Sequence, residues 1–279
     1  MSKLQFDHEI VGKIGSMALV RRDDNDIDYN VFSRLGAELT PEFVWVSSGA
    51  VEIGRLDYRK HNDGRELEHS ESEEAKADYA AQGQSILMEN YRRFTDPRYS
   101  VRQVLVEHTH FNDPERRAHI RGILMRARQQ RAIPIVNYND TVSIEEVRKM
   151  ELMNLRQNSG KVVECVDNDE TAAQIALLVR ARVLLLLTSA PGILRDPDDR
   201  TSLIPEVSGK NPEEVVDQLQ FLEQYCNGSS RLGANGMKAK LQFLHEPILQ
   251  GTTVIIGDSR YRLSHLLDGR AQRTIIRVR

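Results

Sequence analysis

The stretch Val162-Val163-Glu164-Cys165-Val166 is an apolar, β-rich run. Asp167-Asn168-Asp169 follows it, and Thr171-Ala172-Ala173-Gln174-Ile175-Ala176-Leu177-Leu178 then continues with helical spacing. The pattern predicts a strand, a polar junction and a helix. Such a junction is where α/β folds gather phosphate chemistry, because a helix start presents unpaired N–H groups and the positive end of its dipole. Two carboxylates at that start can hold Mg²⁺ or lysine side chains, whereas an Asp or Asn there can also be a simple helix cap.

Working outward, the same rhythm recurs. Further strands are expected at Glu9-Ile10-Val11, Phe43-Val44-Trp45-Val46, Val101 to Val106, Ile133 to Val136, Val183 to Leu187 and Thr253 to Ile256. Helices are expected near 28–38, 76–94, 114–131, 169–180, 212–225, 236–246 and 260–267, with credible starts at Asp113-Pro114-Glu115 and Asn211-Pro212-Glu213. This alternation argues for an α/β fold with a mostly parallel sheet covered on both faces. His61 to Glu74 and Ser143 to Gly160 read as polar surface excursions near one rim, where open α/β sheets bind ligands.

With 279 residues the chain can bury a full core as one large domain or two small ones. A formal net charge of -3 gives no general attraction to nucleic acid, although the final segment carries Arg260, Arg262, Arg270, Arg273, Arg277 and Arg279 against Asp268 alone. Cys165 and Cys226 lack C-x-x-C spacing, which fits a reducing, cytoplasmic location. The N-terminus has no apolar signal core, and Arg180 and Arg182 interrupt the longest apolar stretch, so neither a signal peptide nor a membrane span is expected.

Several other segments carry chemistry. Lys13-Ile14-Gly15-Ser16 follows the first strand, with a glycine that lets backbone approach an anion and a compact positive charge beside it. Neither a Walker A sequence nor G-x-G-x-x-G occurs, so any phosphate site is built differently. Ser47-Ser48-Gly49-Ala50 closes another strand; a serine nucleophile is the rival reading, but Val46 stands where a nucleophile elbow needs glycine. Asn137-Tyr138-Asn139-Asp140-Thr141-Val142 clusters polar groups at a third strand end. Lys238 and Lys240 fall early in a helix opened by Gly233-Ala234-Asn235-Gly236-Met237, where they oppose the dipole and point to a bound anion. His108 and His110 would share a strand face and offer a metal two ligands. The acidic run Glu66 to Glu74 reads as solvated.

Taken in order, Lys13-Ile14-Gly15-Ser16, Val46-Ser47-Ser48-Gly49-Ala50, Gly83-Gln84-Ser85, Asn139-Asp140-Thr141-Val142, Asp167-Asn168-Asp169, Leu186-Leu187-Thr188 and Gly236-Met237-Lys238-Ala239-Lys240 resemble the glutamate 5-kinase branch of the amino acid kinase superfamily. The resemblance implies a three-layer αβα sandwich, with one kinase domain over 1–279 divided into an acceptor-binding part (about 1–165) and a nucleotide-binding part (about 166–279). It implies ATP and Mg²⁺ as cofactors. Lys13 and Lys240 would stabilise the transferring phosphoryl group, and Asp169 would hold both ammonium groups. Ser48, Gly49, Asp140 and Asn168 would bind an acidic amino acid. Gly15 and Ser16 would cradle phosphates, Thr188 and Ser189 would edge the adenine site, and Gly236 and Met237 would end a turn that closes over ATP. A homo-oligomer, dimeric or tetrameric, is also implied, without a membrane or nucleic-acid partner.

The chain departs from that pattern at Tyr138, where glutamate is usual, at Val166 and Asn235, where glycine is usual, and at Ser189, where aspartate is usual. Ile144 to Glu164 is inserted beside the expected acceptor pocket, the usual Gly-Thr near the end appears as Arg273-Thr274, and the RNA-modification-type (PUA) domain common in this branch is not expected. Two alternatives stay open: a kinase acting on another small acid, phosphate or phosphonate, and a nucleotide-binding regulator with weakened turnover.

Overall fold

Strands buried at every position are the mark of a sheet covered on both faces, and Phe43–Ser47 and Ala132–Tyr138 are of that kind. A computed structural model describes residues 5–21, 23–143, 145–158, 162–165, 167–196, 198–223 and 236–279. In chain order these form β1 (His8–Ile14), the small ribbon β2 (Val20–Arg21) and β3 (Asp26–Ile27), α1 (Tyr29–Glu38), β4 (Phe43–Ser47), α2 (Ala50–His61) and α3 (Glu73–Phe94). There follow β5 (Ser100–Val106), α4 (Thr109–Asn112), α5 (Pro114–Gln129), β6 (Ala132–Tyr138), α6 (Glu145–Asn158) and α7 (Asn168–Leu178). The last part comprises β7 (Ala181–Thr188), β8 (Glu206–Gly209), α8 (Pro212–Glu223), α9 (Gly236–Gln242), α10 (His245–Leu249), β9 (Thr253–Asp258), α11 (Leu263–Asp268) and β10 (Arg273–Val278).

Among the described residues, eight strands make one sheet in the order β5-β6-β4-β1-β7-β9-β10-β8. The strands from β5 to β9 run parallel, while β10 is antiparallel to β9 and parallel to β8. One face buries Phe32, Trp45, Ile53, Leu87, Leu185 and Leu266 beneath α1, α2, α3 and α11. The other buries Val46, Ile120, Val136, Ile175, Leu184 and Leu219 beneath α5, α7 and α8. The expected α/β class and three-layer arrangement are thus what the chain adopts. No described helix is long and apolar enough to cross a membrane.

Four local expectations need correction. Val162 to Cys165 is not a strand: Cys165 sits at φ 50°, a left-handed conformation that ends extended pairing. In place of a neighbouring strand, the Asn112 side chain donates to the Val163 carbonyl (2.7 Å) and accepts from its N–H (2.9 Å). His108 and His110 lie beyond the end of β5, in and before α4, not on a strand face. His110 Nδ1 accepts from the Glu107 N–H and His108 Nε2 meets Glu151 at 2.9 Å, and among the described residues neither histidine belongs to a group of three or more His, Cys, Asp or Glu that could hold a metal ion. The Ser143 to Gly160 excursion contains a helix, α6, and His61 to Glu74 ends in the Ser72-capped start of α3. Lys240 lies in the last turn of the short α9, where the dipole favours a cation, so the dipole argument for an anion there does not hold.

Candidate active site

The C-terminal ends of β1, β4, β6, β7 and β9 share one rim because these strands run parallel. Above it stands the start of α7. Asp167 is its cap: one carboxylate oxygen accepts from the N–H groups of Asp169 (2.8 Å) and Glu170 (2.9 Å). That leaves Asp169, in the first turn and only 8% exposed, for other work.

Its partners are two lysines remote in sequence. Lys13 Nζ, buried at the end of β1, lies 2.8 Å from Asp169 Oδ1, and Lys240 Nζ from α9 donates to Oδ2. Burial alone would push the Asp169 carboxyl up, but the two ammonium groups more than reverse this and hold it below the usual carboxylate range. The three residues are therefore a fixed cation–anion–cation bridge at the head of a helix.

Beside the bridge, two helix starts lack side-chain caps. Gly15 precedes the 3-10 turn Ser16–Ala18, and Gly49, at φ 116°, opens α2. Only glycine takes the latter conformation without strain, and a Cβ there would also stand 2.9 Å from Leu19 Cδ1. The two starts are neighbours, since Ile14 pairs with Ser47 and the Ser48 N–H donates to the Ile14 carbonyl (3.1 Å). Unpaired N–H groups and a nearby ammonium form an anion cradle.

A chain of amides borders it. Asn168 Nδ2 donates to Ser48 Oγ (2.9 Å) and Asn137 Oδ1 (3.2 Å), and Asn137 Nδ2 donates to Gln84 Oε1 (2.9 Å). Asn168 Oδ1 and Gln84 Nε2 are buried without a hydrogen-bond partner among the described residues, a cost that a bound polar molecule would remove. Gln84 is positioned by close packing of α3 on α2: a Cβ on Gly83 would lie 1.9 Å from the Ala50 carbonyl oxygen. Ser48 is held through the core, where Trp45 Nε1 donates to Tyr91 Oη (2.9 Å), Tyr91 Oη to Ser47 Oγ (2.8 Å) and Ser47 Oγ to the Ser48 carbonyl (2.9 Å).

A cavity of about 140 Å³ opens here, lined by Tyr138, Asp140, Lys76, Arg148, Asp167 and Asn168 among others. Burial, reinforced by the charge of Glu73 and opposed by Arg148, pushes the Asp140 carboxyl up to about 6. Farther along the rim, Thr188 Oγ1 accepts from the Ala190 N–H (3.1 Å), and exposed Ser189 offers its carbonyl to Arg200 (3.2 Å). Asp258, opposite Thr188 on β9, is 1% exposed; its burial would raise its pKa, but Arg260 and Arg200 hold it low.

Of the residues singled out in the sequence, Lys13, Asp169 and Lys240 converge, and Ser48, Asn168, Gly49, Gly15 and Ser16 gather beside them. Asp140 shares a cavity with Asn168. Thr188 and Ser189 stand one strand away on β7, and Gly236 and Met237 begin α9. Gly233 to Asn235, Val166 and Cys226 lie outside the described residues. Sequence reading did not single out Gln84 and Asn137 as hydrogen-bond partners, nor Lys76, Arg148 and Asp258 as rim residues. Asn137 and Gln84 were within reach, since both fall in polar motifs of the chain; the others carry no local signal.

Comparison with known proteins adds an independent line. The model of the Amino acid kinase family matches residues 9–258. Glutamate 5-kinases of Burkholderia mallei (strain SAVP1) and Burkholderia vietnamiensis (strain G4 / LMG 22486) are each 30% identical, over 91% and 90% of this chain and 63% and 62% of their own. The chain thus spans less than two thirds of the length of these curated relatives. Among solved structures, a Giardia lamblia carbamate kinase bound to AMP-PNP superposes with TM-score 0.59 at 14% identity over 98% of this chain and 99% of that one. A Bacillus anthracis UMP kinase does so with TM-score 0.56 at 11% identity over 98% and 96%. These two share the fold.

Proposed function

The chain belongs to the amino acid kinase family, and from that premise we propose that it transfers the γ-phosphoryl group of ATP to a carboxylate, the γ-carboxylate of L-glutamate, giving L-glutamyl 5-phosphate for proline-type biosynthesis. The observation that carries the reading is the Lys13–Asp169–Lys240 bridge at the head of α7.

In the reaction, a carboxylate oxygen forms the new bond to γ-phosphorus while the bond from the β,γ-bridging oxygen breaks, and ADP leaves with those electrons. A carboxyl group with a solution pKa near ~4.3 is already ionised at neutral pH, so no general base is needed. What the protein supplies is alignment of two anions and relief of charge on the moving phosphoryl oxygens. In this reading Lys13 and Lys240 do the latter, steered by Asp169. Gly15, Ser16 and the opening N–H groups of α2 after Gly49 receive phosphate oxygens. Ser48, Asn168 and Asp140 hold the acceptor. Thr188 and Ser189 border the nucleotide, and Gly236 and Met237 close over it.

The donor set suits a polyphosphate, with two ammonium groups and two uncapped helix starts together. Among the described residues no group of three or more His, Cys, Asp or Glu is placed to hold a metal ion, and in this reading Mg²⁺ would be held chiefly by nucleotide phosphates and water, neutralising their charge. Assembly as dimers or tetramers and a cytoplasmic location belong to the same proposal.

The test is ADP release from ATP and L-glutamate by the purified protein, with hydroxylamine trapping the acyl phosphate as hydroxamate. Glutamate-dependent ADP and hydroxamate are expected; neither appearing would reject this acceptor. A second reading is favoured by Tyr138 and α6 in the acceptor cavity: the same chemistry on another small acid, phosphate or phosphonate. A screen of acceptors by ADP release separates the two. A regulator without turnover is favoured less, since both lysines are held on one carboxylate; tight ATP binding with no ADP from any acceptor would support it.

A further inference from the structure

The acceptor cavity contains more charged groups than the assigned site residues use. Its lining includes Glu73, Glu145, Asp140 and Asp167 on the acidic side and Lys76 and Arg148 on the basic side. Most are already satisfied. Lys76 lies 3.3 Å from Glu73, Lys149 bonds Glu145, and Asp167 accepts two backbone N–H groups as the α7 cap. Among the described residues that leaves Asp140 and Arg148 as the acid and the base of this set with neither an ion pair nor a capping role.

Arg148 is the more informative. It lines the cavity beside Tyr138, and its Nε is buried with no hydrogen-bond partner among the described residues. Its charge acts on Asp140 and Glu145 across the cavity, but neither carboxylate forms an ion pair with it within 4 Å. A buried N–H of a planar, permanently charged fork left unpaired is costly, and a carboxylate is the group whose two oxygens match that fork. The helix that carries Arg148 is anchored for the purpose: His108, 3% exposed, contacts Glu151 on α6 at 2.9 Å, and Leu152 is buried.

We propose that Arg148 is a specificity-determining residue that receives the carboxylate of the acceptor that is not phosphorylated, with Asp140 facing the ammonium group, so that the cavity selects α-amino dicarboxylic acids. This rests on the phosphotransfer reading above and names the class of its acceptor. The arginine stands on α6, in the Ile144 to Glu164 stretch where the sequence departs from the pattern it otherwise resembles. It binds and orients; it takes no part in bond making.

The test compares wild type with Arg148→Ala and Arg148→Lys, using L-glutamate and 4-aminobutyrate, which keeps the ammonium group and reacting carboxylate but lacks the α-carboxylate. Charge-assisted hydrogen bonds of this kind correspond to a change of about 10- to 100-fold in affinity. Arg148→Ala is expected to raise KM for glutamate by that factor with KM for ATP and the melting temperature unchanged, and to abolish discrimination against 4-aminobutyrate. Arg148→Lys should recover part of the loss. Equal glutamate KM in wild type and Arg148→Ala, or a parallel rise for both acceptors, would overturn the assignment while leaving phosphotransfer standing. If wild type turns over no acceptor, the phosphotransfer reading fails instead, and calorimetric binding of the same two amino acids to the three proteins decides the role of Arg148: a glutamate preference lost in Arg148→Ala upholds it, and no difference overturns it.

Discussion

Replacing Asp169 by Asn would leave Lys13 and Lys240 facing a neutral amide at the same place in the fold. Asp169 and Lys13 are each 8% exposed, so solvent cannot replace the lost anion. Breaking a buried pair by removing one partner costs about 3–5 kcal/mol, which for a chain of this size corresponds to a fall of roughly 6–15 °C in Tm. The sign with pH follows from the depressed carboxyl. Its contribution is complete above the unfolded-state value near ~3.9 and is lost as pH falls through the lower folded-state value. The Tm gap between wild type and Asp169→Asn should therefore be constant from about pH 7 to 5 and close below about pH 4. Inorganic tripolyphosphate, which supplies an anion to both lysines, should stabilise the variant more than wild type. Turnover should fall by roughly 10²- to 10³-fold, because in the proposed reaction the two charges that meet the phosphoryl oxygens lose their shared guide. Thermal scans across pH with and without tripolyphosphate, together with ADP release, measure all of this. An Asp169→Asn protein with wild-type Tm at neutral pH and wild-type kcat would refute the reasoning.

Lys240→Ala should lose turnover by about 10²-fold or more with the far-ultraviolet dichroism unchanged, whereas a protein without catalysis would not respond. Gly83→Ala would put a Cβ 1.9 Å from the Ala50 carbonyl oxygen, so α2 and α3 must separate and Tm should drop by an amount matching about 3 kcal/mol or more, read by thermal or urea unfolding. Asp140 has its folded carboxyl raised to about 6, so the ionised form destabilises the fold. Asp140→Asn should then be the more stable protein at neutral pH, with the gap closing as pH falls from about 6 towards 4, while wild-type acceptor KM rises below about pH 6.

The alternation of apolar runs and helical patterns was enough to place the central parallel strands, because each is buried on both faces and needs β-branched and apolar residues throughout. β8 and β10 carry weaker signals, since Glu206–Gly209 is short and Arg273–Val278 is broken by two arginines, one half-buried and one exposed. α6 escaped for the opposite reason: a charged helix that buries little has no strong apolar stripe, and Val147, Met150 and Met153 are exposed. The Asp167-Asn168-Asp169 junction was legible as a helix start, and both readings of it hold, with Asp167 as the cap and Asp169 as the lysine anchor. Two things were out of reach. The preceding run looks like a strand because its composition is β-rich, and only the Asn112 side chain and the Cys165 backbone reveal otherwise. Arg148 is one arginine among many until the cavity around it is seen.

The bridge also bears on how the protein comes into being. Its three members stand at positions 13, 169 and 240, on the first strand, a mid-chain helix and a late one. During synthesis a ribosome must pass position 240 before the second ammonium group can arrive. Until then Asp169 has at most Lys13 for company, and under the proposed reaction a nascent fragment would lack one of the two charges that meet the phosphoryl group.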